Sequence, residues 1–311
     1  MFLSKETRKS LEEKLRKLNR KRPLKPSIIL KLQEQFELEM TYNSNAIEGN
    51  TLTLKETYWV IQEGMTVKGK SLKEHLEAKN HTEALIFLRE TVRQKRPDTI
   101  SEKCIKEFHE LVVSDSEADI AGQYRKGEVR IAGAEHTPPS GLEVPRCMRG
   151  LVRWWKKEAK KLHPIELATL LHHKFVNIHP FWDGNGRTGR LLMNIVLLSA
   201  GYPLTIILKN DRKRYYRVLS LADKGDYKPL CEFVAQATLR SLDLYLRALV
   251  PTGKKDELIE LESLAKNSPY TATYLRKLAN LGKLKAFKKG RNWLSTPNYL
   301  KDYVKYHGNK N

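Results

Sequence analysis

The stretch His179–Arg190, HPFWDGNGRTGR, gathers the side chains that phosphate chemistry needs within twelve residues. Pro180 biases His179 away from helix, so His179 sits in a loop or on an extended residue. An unperturbed imidazole titrates near neutrality, which makes His179 the natural general base. Asp183 stands just before the loop and could hold Mg²⁺, which favours one or two carboxylates plus phosphate oxygens. Gly184, Asn185 and Gly186 permit close backbone approach and positive φ. A long apolar helix then begins, and its free N–H groups and dipole favour phosphate. Arg187 and Arg190 are three apart, hence on one helix face, where two guanidinium forks can grip adjacent phosphates. A lone His-Pro, a lone GNG or a lone Arg pair is usually a turn or a solvated face; the whole string carries the specificity. His172, His173 and His179 as metal ligands form a weaker alternative, because the 172/173 pair sits on a helix and has no Cys or carboxylate partner at metal spacing.

The elements that must position these residues are mostly helices. Leu11–Leu18 is a charged amphipathic helix ended by Pro23 and Pro26. Helices are expected over 28–46, 53–63 and 71–91, the last opened by a capping box of Ser71 and Glu74. Further helices are expected over 101–113, 145–161, 164–177, 186–200, 212–223 and 229–249. Gly122–Pro145 interrupts them with Gly, Pro and a short β-compatible run at Glu128–Ala132, so a hairpin or extended loop is expected there. Leu191–Leu208 is apolar and long enough for a membrane span, but Asn194, Gly201 and Pro203 break it, and a buried helix ending at a Gly-Tyr-Pro turn is the reading. Pro251–Lys255 reads as a linker. Beyond it come helices near 256–266 and 270–280 and an alternating basic stretch that turns like a β-wing.

The 311 residues carry 57 Lys+Arg against 36 Asp+Glu, a net charge of +21, which points to a polyanionic partner. Residues 1–26 hold +7 of it and residues 252–311 hold +8, leaving +6 for the 225 residues between. Hydrophobic residues at 40% exclude global disorder, and ordinary Gly and Pro contents exclude collagen-like and low-complexity classes. Cys104, Cys147 and Cys231 are far apart and give no metal spacing or disulfide framework, and the opening MFLSKETRKS lacks an apolar leader, so a cytoplasmic location is expected.

HPFWDGNGRTGR resembles the HPFx[D/E]GNGRxxR signature of the Fic family. The likeness runs over about residues 28–248. Asn43–Leu54, NSNAIEGNTLTL, resembles the [S/T]xxxE[G/N] inhibitory motif of members whose inhibitory helix precedes the core, with Ser44 and Glu48 at its key positions. Gly122–Arg125 (GQYR) with Pro138 and Pro139 is similar to the segment leading through the family's flap hairpin. DRKRYY at 211–216 and ADKGD at 222–226 resemble the nucleobase side of the pocket.

The resemblance implies a mainly α fold over 28–250, a Fic helical core with its N-terminal inhibitory helix and a small β-hairpin flap; the residue pattern itself adds a basic N-terminal helix (1–27) and a tail (251–311) that resembles a small winged-helix or excisionase-like domain. It implies a nucleotidyltransferase that moves AMP from ATP, with Mg²⁺, onto a Ser, Thr or Tyr hydroxyl of a target protein. Carried over by position, His179 is the base, Asp183 the metal carboxylate, Gly184, Asn185 and Gly186 the anion cradle, and Arg187 and Arg190 the grip on the outer phosphates. Glu48 would pair with Arg190 and exclude the productive γ-phosphate position. In some members the same glutamate supports removal of AMP from the target, so the direction stays open. The flap near Gly127–Pro139 would register an extended target segment, or is a plain surface loop. Tyr215, Tyr216 and Asp223 would lie near the base; some relatives carry Asn where Asp223 stands, which leaves transfer of another nucleotide open.

In the tail, Arg276, Lys277, Lys288, Lys289 and Arg291 are the phosphate-facing residues expected of a winged helix that binds DNA, with protein contact or a homodimer as the competing use. A DNA-binding regulator in which the Fic core is sensory is the reading from a different class. Self-modification is expected, and no membrane partner.

Overall fold

A computed structural model describes residues 2–24, 26–94, 100–131, 135–249, 258–281, 283–284, 286–289 and 292–307. The chain divides into two compact units, residues 1–249 and 250–311.

Helices build the first unit: α1 (Lys5–Asn19), α2 (Pro26–Ile47), α3 (Leu54–Gln62), α4 (Leu72–Arg93), α5 (Glu102–Val113), α6 (Val144–Glu158), α7 (Pro164–Ile178), α8 (Asn185–Ser199), α9 (Arg212–Asp223) and α10 (Lys228–Ala248). Their starts are chemically marked. Ser71 and Glu74 close the expected capping box on α4, Thr53 and Glu56 close a second on α3, and Ser101 caps α5. At the centre α7 packs on α8, with α4 and α5 against α8 and with α6 and α10 against α7. Every residue of α8 from Arg187 to Leu197 is buried, the mark of a helix wrapped on all sides. Asn194, the polar break in that apolar run, donates to the Arg190 and Thr205 carbonyls and accepts from the Thr205 N–H at 2.7 Å. It thereby satisfies the extended chain that returns after Gly201, whose φ is +85°. No helix among the described residues is long and apolar enough to cross a membrane.

The basic N-terminal helix is part of this unit. Leu11 and Leu18 of α1 enter the same core, against α10. The segment before it is fixed by two carboxylates: buried Glu166 accepts from the Leu3 N–H at 2.9 Å, and Glu232 accepts from Ser4 at 2.6 Å.

The described residues between Gly127 and Pro139 contain no strand, and Ala132, Gly133 and Ala134 of that segment lie outside the described residues. The carbonyls of Gly127 and Pro139, at the two ends of the segment, accept from the Arg125 guanidinium. The expected linker, Pro251–Lys255, also lies outside the described residues.

In the second unit a three-stranded antiparallel sheet has the order β1-β3-β2, from β1 (Ile259–Glu260), β2 (Phe287–Lys289) and β3 (Asn292–Ser295). Ile259 faces Ser295, and Lys288 faces Trp293. Helices α11 (Leu261–Ala265), α12 (Ala272–Asn280) and α13 (Pro297–His307) pack with it around Leu261, Leu264, Leu275, Leu278 and Leu300. The helix expected near 256–266 is therefore a two-residue strand and a short helix, because residues 259–260 pair with β3. Arg276 is exposed and paired with Glu262, and Lys277 and Lys288 are exposed. Arg291 lies outside the described residues.

Candidate active site

The site is the turn between α7 and α8. His179 caps α7 in the left-handed region, with φ 50° and ψ 60°. It is the sole non-glycine at positive φ among the described residues. Such a residue persists only where its surroundings fix it. Here its N–H bonds the Phe175 carbonyl at 3.1 Å, and its own carbonyl accepts from Arg125 Nε at 2.7 Å. Burial lowers the His179 pKa, and the nearby Arg125 charge adds to that. The imidazole is therefore neutral, and able to accept a proton, at pH 7.

The turn is held from below. Asn185 is buried, and its side-chain amide donates to the Phe181 carbonyl at 2.8 Å and accepts from the Phe181 N–H at 3.0 Å. The Asn185 side chain thus clamps the loop, while its backbone lies in the first turn of α8. The Phe181 ring stacks on His109 at 3.6 Å between centroids. His109 accepts from the Gly122 N–H on Nδ1 and donates from Nε2 to the Asp183 carbonyl at 3.0 Å, and burial pushes its pKa down to about 4. Gly184 has φ +74° and packs so closely on Val113 that a Cβ would lie 2.9 Å from its methyl, so only glycine fits there.

Charge is concentrated at the start of α8. Arg187 and Arg190 are each 1% exposed. Arg187 Nη2 donates to Asp183 Oδ2 at 3.2 Å, and its Nη1 lies 3.5 Å from Glu77. Its Nε and Nη1 are buried without a hydrogen-bond acceptor. Arg190 has a different set of partners. Its Nε donates to Ser44 Oγ at 3.0 Å, and its Nη2 donates to the Ser44 carbonyl at 2.8 Å and to Glu48 Oε1 at 2.7 Å. A Cβ on Gly186 would collide with that same Glu48 oxygen. The Glu48 carboxylate, one residue beyond the end of α2, therefore lies over the N-terminus of α8, where the helix dipole favours an anion.

Asp183 is half exposed. Its Oδ1 accepts from the Gly184 N–H at 2.6 Å, and Lys73 Nζ approaches its Oδ2 at 3.9 Å while bonding Glu117 at 2.5 Å. Tyr215 is buried, and its hydroxyl meets His172 Nε2 at 2.5 Å. Tyr216 is exposed beside the Arg212 guanidinium, 5.0 Å from its ring centroid. Asp223 Oδ1 accepts from His173 Nε2 at 2.9 Å and Asn177 Nδ2 at 3.1 Å, and the residue lines a cavity of about 410 Å³ beside α7. His172 and His173 are thus engaged by Tyr215 and Asp223, and no group of three or more His, Cys, Asp or Glu that could hold a metal occurs among the described residues.

The structure brings His179, Asp183, the glycines, Arg187, Arg190, Ser44 and Glu48 together around one helix end, and it adds residues that sequence spacing did not identify. Glu77 and Lys73 come from α4, His109 from α5, and Arg125 from the chain before the flap segment. Their partners are main-chain carbonyls or charges distant in sequence, which leave no local signal; Arg125 alone lay within a quoted motif, GQYR.

Residues 99–197 match the Fic/DOC family. The chain is 43% identical over 215 residues to a protein adenylyltransferase Fic of Nematostella vectensis, an alignment covering 68% of this chain and 50% of that protein. The chain spans about half the length of the curated relatives it matches. Among solved structures it is similar to Fic-1 (aa134 - 508) from C. elegans, with 31% identity, a TM-score of 0.71, and 78% of this chain and 72% of that one covered. It is also similar to a Fic domain containing signaling protein from Bacteroides thetaiotaomicron, with a TM-score of 0.70, 35% identity, and 78% of this chain and 96% of that one covered. With the signature at the α7–α8 turn and a solved Fic protein matched over nearly its whole length, the chain belongs to the Fic/DOC family.

Proposed function

We propose that the chain is a protein adenylyltransferase, moving AMP from ATP to a Ser, Thr or Tyr hydroxyl, and that Glu48 holds it in check. The observation that carries this reading is the Glu48 carboxylate seated over Gly186 and bonded to Arg190, an anion at the place where phosphate would bind. The names of the curated relatives, protein adenylyltransferase Fic, support the choice of reaction.

In this reading a target hydroxyl oxygen attacks the α-phosphorus of ATP. Its proton passes to His179, the bond from the α-phosphorus to the bridging oxygen breaks, and pyrophosphate leaves. Burial keeps His179 neutral, which suits a base at pH 7. The first N–H groups of α8 would face the phosphates, and Arg187 supplies two buried donors, Nε and Nη1, without a hydrogen-bond acceptor in the protein. Arg190 takes the outer phosphate once Glu48 lets go. Tyr215 acts through His172, and Tyr216 and Asp223 lie on the nucleobase side.

Asp183 is the residue that would hold Mg²⁺. One accessible carboxylate fits this metal when the nucleotide brings its own phosphate oxygens, and Mg²⁺ when bound supplies charge neutralisation of those phosphates. Lys73 and Arg187 lie beside the same carboxylate, at 3.9 and 3.2 Å from Asp183 Oδ2.

The second unit supports a separate proposal, a winged-helix-like module that contacts DNA phosphates through Lys277 and Lys288. Helix α12 followed by the antiparallel β2–β3 pair favours it. The three scattered cysteines support a cytoplasmic location. The test of the main reading is incorporation of label from the α-phosphate of ATP into protein by the full chain carrying Glu48→Gly.

A further inference from the structure

We infer that Arg125 is a positioning residue: one guanidinium braces the base-bearing turn and both stems of the flap segment, and so fixes the spacing between them. This rests on the AMP-transfer reading above. Arg125 is 1% exposed, and the acceptors bound by its side chain are main-chain carbonyls. Nε donates to the His179 carbonyl at 2.7 Å. Nη1 donates to Gly127 at 2.7 Å, and Nη2 donates to Pro139 at 2.6 Å and to Ile178 at 3.3 Å. The Arg125 backbone N–H adds a bond to the Pro180 carbonyl at 2.9 Å.

Three pieces of chain converge on this side chain. The first is the turn at 178–180, where His179 is held in the left-handed region. The second is the entry to the flap segment at Gly127, and the third is its exit at Pro139. The two stems touch: a Cβ on Gly141 would run into the Lys126 carbonyl. The entry stem also touches the signature loop, since a Cβ on Gly127 would lie 2.8 Å from the Trp182 ring. The planar fork with five N–H donors binds four carbonyls on the three pieces, one more than the three N–H groups of a lysine could hold. The brace fixes the height of the imidazole and the spacing between base and flap, where a target hydroxyl must sit. The phosphate grip is held separately, by Asp183 and Glu77 for Arg187 and by Ser44 and Glu48 for Arg190. Loss of the brace should therefore cost turnover and spare nucleotide binding.

The test compares Arg125→Lys with its parent in the full chain carrying Glu48→Gly. The readouts are calorimetric affinity for a non-hydrolysable ATP analogue and the rate of α-phosphate label entering the chain itself as ATP is varied. The brace predicts an unchanged analogue affinity and half-saturating ATP concentration, with the maximal rate down by about tenfold to a hundredfold. A maximal rate within about twofold of the parent, with analogue binding intact, overturns it, since a misplaced base costs more than that. A parent that binds the analogue and transfers no α-label removes the AMP-transfer reading instead. In that case, or if Arg125→Lys fails to bind the analogue, ¹⁵N NMR of the unsubstituted chain decides. A slowly exchanging Arg125 Nε–H supports the brace, and exchange as fast as at exposed arginines overturns it.

Discussion

Glu48 Oε1 lies 2.7 Å from Arg190 Nη2, and the same oxygen covers Gly186 at the N-terminus of α8. A carboxylate thus satisfies both features that would otherwise hold a phosphate, a guanidinium fork and a helix N-terminus. A phosphate group arriving there would have to displace it or bind around it.

Glu48→Gly should raise the rate of self-modification. A hydrogen bond to a charged group contributes about 1.5–3 kcal/mol, so the expected gain is roughly tenfold to a hundredfold. The check is α-phosphate label incorporated per unit time by the two full-length chains. An unchanged rate removes Glu48 from the mechanism.

Asn185→Ala should destabilise the first unit without touching its charge. The substitution leaves the buried Phe181 N–H and carbonyl without their side-chain partner, at a cost of about 1–3 kcal/mol. For a unit of this size that corresponds to a drop of roughly 2–10 °C in Tm, read by differential scanning calorimetry. A Tm equal to that of the unsubstituted chain would mean that the clamp is not formed.

Stability should fall as the pH drops below about 6.5, the ordinary histidine value. Burial pushes His81 and His172 down to about 3 and His109 to about 4. The folded pKa values lie below the unfolded ones, so the unfolded chain takes up protons first. Stability present above pH 6.5 is lost on acidification, at up to about 1.4 kcal/mol per pH unit for each such histidine. Denaturant melts at pH 7.5 and pH 5.5 measure this, and equal midpoints would contradict it. The same direction at His179 places the acidic limb of the pH–rate profile below the ordinary histidine range.

How much of this was legible in the sequence depends on how local each cause is. The capping box at Ser71 and Glu74 and the apolar run of α8 are local, and the helices of the first unit form close to where residue spacing puts them. The His179–Arg190 signature is local too, because loop, dipole and arginines belong to one turn. What the sequence hid is non-local. Of the two readings left open for 122–145, a hairpin or an extended loop, local residue types could not choose, and the Gly127 and Pro139 carbonyls bind Arg125, a partner no local pattern marks. Ile259 and Glu260 read as helix and pair with β3, whose residues are more than thirty positions away. His109, Glu77 and Lys73 reach the site from α4 and α5, and nothing in their own surroundings in sequence marks them.

The second unit should bind duplex DNA with a steep salt dependence, if its exposed lysines meet phosphates. Replacing Lys277 and Lys288 with alanine should flatten the slope of log K against log salt by about 2, and binding absent at low salt leaves this unit to protein contacts.

The central claim is tested most directly by labelled ATP and the full chain carrying Glu48→Gly, with and without His179→Ala. Label on the α-phosphate should enter protein and label on the γ-phosphate should not, and His179→Ala should abolish the signal while the ATP analogue still binds. Transfer of γ-label, or α-label incorporation that survives His179→Ala, would contradict the assignment of His179 as the base of an adenylyl transfer.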